Sequence, residues 1–388
     1  MSRWIRTPIV LLAAMLLVVA AACGDDTETA DPDPTTTTEA TASGPCPSEG
    51  ISTEELDLTK PGVAAEGTAV SFSPDPALRG TTLTLYTGRD QKLLGPLVEE
   101  FTRLTGVQVD VRYGTSAEMG AQILEEGKAT PADVFYSQEV GAVGLLAREG
   151  LLTELPTDIV ERAQPRFRPK GDPLWVGVTG RSRVIVYNPD LLEEVPRCVE
   201  ALTDPKYRGK VAIVPANAGF QAFVTGFRVS RGEDEARKWL EQMVANEAVT
   251  TIESNGDVLE AVNNGDVPLG LINHYYWARH ENRDQLKAQL IFPGGDDPGG
   301  LVNATAVGIT TSGKDNPAAL AFVDFLTSKE GQTFFVEKTW EYPVVGGVPG
   351  PQGMPALAEL EGPGIDLADL DSLEKTQQLL TDVGLDIG

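Results

Sequence analysis

From about Thr82 the chain alternates short β-rich runs with amphipathic stretches of helical period, which restricts it to an α/β architecture. Leu83 to Tyr86, Val107 to Val111 and Asp133 to Phe135 read as strands. Between and after them lie helices at 91–105, 117–126 and 140–149; the first carries Leu93, Leu94, Leu97, Val98, Phe101 and Leu104 at helical spacing. This βαβαβ start makes one lobe. Extended runs at Trp175 to Gly180 and Val184 to Tyr187 lead into a second alternation. It comprises a strand at Val211 to Val214, helices near 218–230 and 233–245, a strand at Val249 to Ile252, a helix at 257–263 and a strand at Val267 to Ile272. Ala304 to Thr310 is extended again, and helices at 317–328 and 331–338 return to the first lobe. Two crossings of this kind predict a two-lobed clamshell with two crossover hinge strands. The expected division is 81–180 with 304–345 for the N-lobe, and 181–303 with 346–388 for the C-lobe. Residues 51–80 form an N-terminal extension.

Arg3 and Arg6, an apolar run from Pro8 to Ala22 and then Cys23 after three alanines read as a signal peptide over 1–22 with a lipobox-like end. The run is shorter than the ~20 residues of a membrane helix. Cys23 would then carry a lipid, placing the folded part outside the cytoplasm at the cell membrane. Ala20 matches the lipobox less well than leucine, which keeps plain secretion as the alternative. Residues 23–50, rich in Thr, Asp, Pro and Ser, predict a disordered acidic tether. The formal charge of −26 argues against nucleic acid as a partner. Cys46 and Cys198 remain: outside the cell they fit a disulfide or two free thiols, and no C-x-x-C metal spacing occurs. With only His274 and His280, no G-x-S-x-G elbow and no cysteine beside a histidine, the chain is expected not to be an enzyme.

The apolar run Val267, Leu269, Leu271, Ile272 ends in Asn273-His274-Tyr275-Tyr276-Trp277. On a continuing strand the two tyrosines would face opposite ways, so joint use of their phenols requires the strand to turn into a helix there. Such junctions are where ligands sit in α/β proteins. Taken alone, the pair also reads as half-buried packing.

In order and spacing, several stretches resemble the periplasmic ferric-ion-binding proteins of ABC transporters, which have the type II periplasmic-binding fold. They are Leu85-Tyr-Thr-Gly-Arg-Asp90, Ala132-Asp-Val-Phe-Tyr136, Gly180-Arg-Ser-Arg-Val184, Pro215-Ala-Asn-Ala-Gly-Phe220, Ser254-Asn255, Leu271 to Trp277 and Glu341-Tyr-Pro343. The resemblance implies that Tyr275 and Tyr276 bind Fe3+ as phenolates, hard oxygen donors suited to that ion. Family members add a histidine and a glutamate from the opposite lobe. Here those positions hold Asp90, which is also a candidate helix cap, and Gln138, with Glu139 next to it. The resemblance further implies a synergistic anion, phosphate or carbonate, held by Asn217, Ala218 and Gly219 at a helix start, with Asn255, Asn273 and Arg181. Tyr136 would face the same cleft, chiefly as packing. The implied partner is an ABC permease, and a monomer is expected. The alternative is the same fold around a phosphonate, polyamine or thiamine-like solute, with Tyr275, Tyr276 and Trp277 as an aromatic wall.

Overall fold

The computed structural model describes residues 46–385 and 387; the expected signal peptide, Cys23 and the tether up to residue 45 lie outside them. The strands are β1 (Ile51–Ser52), β2 (Thr82–Thr87), β3 (Gln108–Tyr113), β4 (Val134–Ser137), β5 (Val176–Tyr187), β6 (Val211–Ala212), β7 (Leu269–Asn273), β8 (Gln289–Phe292), β9 (Val302–Ile309) and β10 (Tyr342–Pro343). The helices are α1 (Gln91–Thr105), α2 (Ser116–Glu126), α3 (Val140–Arg148), α4 (Thr157–Val160), α5 (Ala218–Arg231), α6 (Glu233–Ala245), α7 (Asn255–Asn264), α8 (His274–Ala278), α9 (Pro317–Leu326), α10 (Lys329–Phe334) and α11 (Leu373–Asp382).

One sheet runs β3-β2-β4-β9-β5, with β2 parallel to β3 and β4, and β9 antiparallel to β4 and β5. The other is built on the second half of β5, which pairs with β7 and β8; β6 lies parallel to β7, and β1 antiparallel to β8. The two sheets share β5. Its residues Val176 to Ser182 pair with β9, and Arg183 to Tyr187 pair with β7 and β8, so the chain changes sheet between Ser182 and Arg183. The sequence pattern broke this stretch at Gly180-Arg-Ser-Arg, because a strand with three polar residues in a row does not alternate. The structure keeps one strand of 12 residues because both faces are covered there.

Two further expectations change. Val249 to Ile252 is not a strand, although Val249 bridges to Ala212, and β8 was not foreseen. Residues 346–388 do not sit on one side only: residues 367–371 lie against α3, where a Cβ on Gly141 would meet the Leu370 carbonyl at 2.1 Å, while α11 lies along α5. Hydrogen bonds from Arg228 to Ser372 and Thr376 fix the second contact.

Residues 46–50, expected as tether, belong to the fold. Cys46 is bonded to Cys198, and Gly50, at φ +63°, packs so tightly on the Phe292 carbonyl that a Cβ there would lie 2.6 Å from it. The extension continues as β1 on the edge of β8 and reaches the other sheet's core at Phe72, whose ring packs against Phe101 and Phe325 at 6.2 and 5.2 Å. It thereby covers an otherwise bare sheet edge.

Candidate metal and anion site

β7 ends at Asn273 and the backbone turns directly into α8, which brings Tyr275 and Tyr276 to the same side. Their rings stack at 4.7 Å with an interplanar angle of 30°. Arg279, one turn on, lies over both, 5.4 and 4.9 Å from the centroids. Asn273 makes no side-chain cap on α8, and its amide donates to the Tyr275 hydroxyl at 3.4 Å. Burial, with Tyr275 as the next cause, holds the Tyr276 phenol well above its ordinary range. Trp277 points away: it is fully buried and donates to the Ala288 carbonyl at 2.7 Å, which removes it from any aromatic wall.

Beside the phenols is a guanidinium that the sequence reading passed over. Arg183 is 3% exposed, donates to the Leu271 carbonyl at 2.8 Å and to Asn273 Oδ1 at 3.4 Å, and leaves its Nε without a partner. It makes no salt bridge among the described residues, and burial pulls it down to about 10, with both tyrosines acting against that shift. The signal was present in the sequence: Arg181 and Arg183 are two apart on a strand and so share a face. Together with Gly219, Asn273 and Asn303 they line a small cavity. A Cβ on Gly219 would lie 2.9 Å from the Asn273 amide and 3.5 Å from the Arg183 guanidinium, so a side chain there would crowd the groups that line the cavity.

The other predicted residues are placed as follows. Asn217 caps α5, accepting from the Gly219 and Phe220 amides at 2.9 and 3.2 Å, so these two donors are already engaged. Asn255, fully buried, donates to the same Asn217 oxygen at 3.2 Å, and its own Oδ1 has no partner among the described residues. Arg181 and Glu139 form an ion pair with their charged atoms 2.7 Å apart, and Arg181 also donates to the Gln138 carbonyl. Asn303 holds the second Glu139 oxygen, and burial pushes that carboxyl up in spite of Arg181. The Gln138 side chain accepts from Arg89 at 2.7 Å. Asp90 is exposed and caps α1 through a 2.7 Å bond from the Lys92 amide. Tyr136 is packing: fully buried, pushed up to about 12 by that burial, with its hydroxyl 3.3 Å from Thr305. The tyrosines therefore stand ready, whereas Gln138 and Glu139 are tied into the protein and Asp90 has one oxygen in use.

The family model for bacterial extracellular solute-binding proteins matches residues 87–333. The chain belongs to this family. Its members bind and carry solutes and are not enzymes. The chain is 33% identical to the Fe(3+)-binding periplasmic protein of Serratia marcescens, over 83% of this chain and 96% of that one. Among solved structures it is similar to iron-bound HitA from Pseudomonas aeruginosa (34% identity, TM-score 0.73, covering 79% of this chain and 100% of that one). It is also similar to Trichodesmium IdiA (FutA) in complex with iron and citrate ligands (25% identity, TM-score 0.66, 79% and 100% covered). No helix among the described residues is long and apolar enough to cross a membrane.

Cys198, Glu200 and Asp297 also lie close together, but the sulfur is in the disulfide and offers no thiolate to a metal there. Burial, with Glu200 as the next cause, pushes the Asp297 carboxyl well up, and Glu200 Oε2 is buried without a partner. A raised carboxyl supports the fold most at pH below the ordinary carboxylate range, and that support is lost as pH rises through the raised value. Glu200→Gln, which removes one charge, is expected to stabilise the protein by about 1–2 kcal/mol at pH 8 and hardly at pH 4. Urea denaturation at both pH values checks this; equal shifts would contradict it.

Proposed function

We propose that the chain is the extracytoplasmic substrate-binding protein of an ABC importer, lipid-anchored through Cys23. It binds ferric iron with a synergistic anion, phosphate or carbonate, and delivers it to a membrane permease. The observation that carries this reading is the stacked Tyr275–Tyr276 pair beside a buried Arg183 that has no salt bridge among the described residues. Fe3+ is small, highly charged and prefers hard oxygen, and two phenolates supply two donors and two negative charges at one point. The anion completes the charge balance: its oxygens suit Arg183, Asn273 and the Asn255 side chain around Gly219, and Arg183 gains the partner that burial otherwise denies it. Asp90, whose second oxygen is unused, supplies a donor from the opposite wall. Glu139 would have to exchange Arg181 for the metal, and Gln138 would have to leave Arg89. Iron touching both walls favours the closed arrangement, the form a permease can recognise.

Protein purified without chelator is expected to carry one iron per chain, with the visible colour of a ferric tyrosinate. Metal analysis with a visible spectrum tests this; colourless protein that binds a phosphonate or an organic cation would favour the alternative. The role of Arg183 gives a separate expectation. Arg183→Met relieves a buried charge, so the iron-free protein should gain about 1–3 kcal/mol in stability. Iron binding should meanwhile lose its dependence on added phosphate or carbonate. Denaturation and ferric titrations with and without the anion check the two halves, and an unchanged anion dependence would remove Arg183 from the site.

A further inference from the structure

The imidazole of His274, fully buried and next in sequence to Tyr275, uses both ring nitrogens. The Ser182 amide donates to Nδ1 at 3.2 Å, which leaves that nitrogen bare and puts the proton on Nε2. Nε2 then donates to the Trp340 carbonyl at 3.0 Å. Ser182 is where β5 changes sheet. Trp340 sits at φ +60°, a left-handed backbone that non-glycine residues hold only when their surroundings enforce it. Here the guanidinium of Arg283 covers its ring at 4.6 Å.

The next residue, Glu341, faces the other wall. It accepts a forked pair of bonds from Arg89 at 2.9 and 2.7 Å, with Thr339 adding a third at 2.9 Å. Arg89 immediately precedes Asp90 and holds Gln138. The two phenols and the opposite wall are thus hung on two consecutive residues, Trp340 and Glu341. We propose that His274 is a positioning residue: through its Nε2–H bond to Trp340 it sets the place of Tyr275 and Tyr276 relative to the wall that Arg89 and Glu341 hold. This rests on the metal role proposed for the tyrosines, but the bond itself can be tested without metal.

Two variants separate the nitrogens, because a glutamine amide reaches the place of Nε2 and an asparagine carbonyl the place of Nδ1. His274→Gln keeps the link to Trp340 and loses the one to Ser182; His274→Asn does the reverse. Iron release to a chelator is expected to be about tenfold faster in His274→Asn and within about threefold of wild type in His274→Gln, a free-energy contrast near 1.4 kcal/mol for each factor of ten. In iron-free protein the amides of residues 275–278 should exchange faster in the asparagine variant than in the glutamine one. A role limited to core packing predicts equal effects, and equal effects in both assays overturn the proposal. Should either variant fail to fold, the wild type decides. Long-range proton–nitrogen spectra, assigned between two histidines with His280→Gln, must show the Nε2–H tautomer of His274; an Nδ1–H tautomer overturns the proposal. If wild-type protein takes up no iron while the exchange and tautomer results hold, the metal assignment fails and the positioning bond stands.

Discussion

Tyr276→Phe or Tyr275→Phe is expected to weaken ferric binding by about a thousandfold, roughly 4 kcal/mol, and to alter or abolish the tyrosinate colour. Each change removes one anionic oxygen donor and almost nothing else. The Tyr275 hydroxyl accepts a long bond, 3.4 Å from Asn273, and otherwise meets the neighbouring Tyr276 hydroxyl, while the ring stack at 4.7 Å survives in phenylalanine. Stability of the iron-free protein should therefore stay within about 0.5 kcal/mol of wild type, as for substitutions that touch no structural feature. A linked expectation concerns pH. Tyr276 keeps its proton firmly in the iron-free protein because it is buried beside Tyr275, so the metal must expel that proton. Two phenols that bind a metal as phenolates release two protons, so affinity falls by about a hundredfold for each pH unit of acidification. One variant should halve the logarithmic slope. Chelator-competition titrations from pH 6 to 8 read both quantities, and a full-strength, coloured complex in either variant would refute the assignment.

The second large effect concerns the pair behind the opposite wall. Arg89 and Glu341 are 2% and 1% exposed and joined by a two-bond fork. Burial alone would push the Glu341 carboxyl up, but the charge and hydrogen bonds of Arg89 outweigh it and hold the carboxyl below its ordinary range. Arg89→Met leaves a buried carboxylate unmatched and should cost about 3–5 kcal/mol at pH 8. In wild type, a depressed carboxyl contributes stability above the unfolded-state value and loses it as pH falls through the folded one. In the variant that contribution is gone and Glu341 takes up a proton instead, so the deficit should shrink as the buffer is taken from pH 8 toward pH 5. The double variant Arg89→Met with Glu341→Leu should recover most of the loss at pH 8. Denaturant titrations measure all three proteins; a deficit under 1 kcal/mol for Arg89→Met would show that the pair bears little of the fold.

Local periodicity made the α/β alternation legible, since α1, α2, α6 and α7 each bury one stripe, α5 is buried on all sides from Phe220 to Arg228, and all five end near a glycine or asparagine stop. It failed where non-local pairing decides. β5 reads as broken because Arg181, Ser182 and Arg183 are polar, yet its burial comes from partners more than 80 residues away in sequence. β8 is four residues long and gains its place only between β5 and the extension's β1. At the site, the Tyr275–Tyr276 turn was readable because strand and helix chemistry meet there. The commitments of Arg181 to Glu139 and of Gln138 to Arg89 were not, because each joins segments whose distance no pattern encodes, whereas the cap that Asn217 places on α5 is a local sequence signal. Arg183 lay within reach of the alternation argument had Gly180 to Val184 been taken as one strand.

The most direct test is an anomalous-scattering map at the iron edge from crystals soaked in ferric salt with phosphate or carbonate. The account predicts one iron peak within bonding distance of the Oη atoms of both Tyr275 and Tyr276, with the anion against Arg183. A peak at any other residues, or none while both rings stay stacked as they are here, would contradict it.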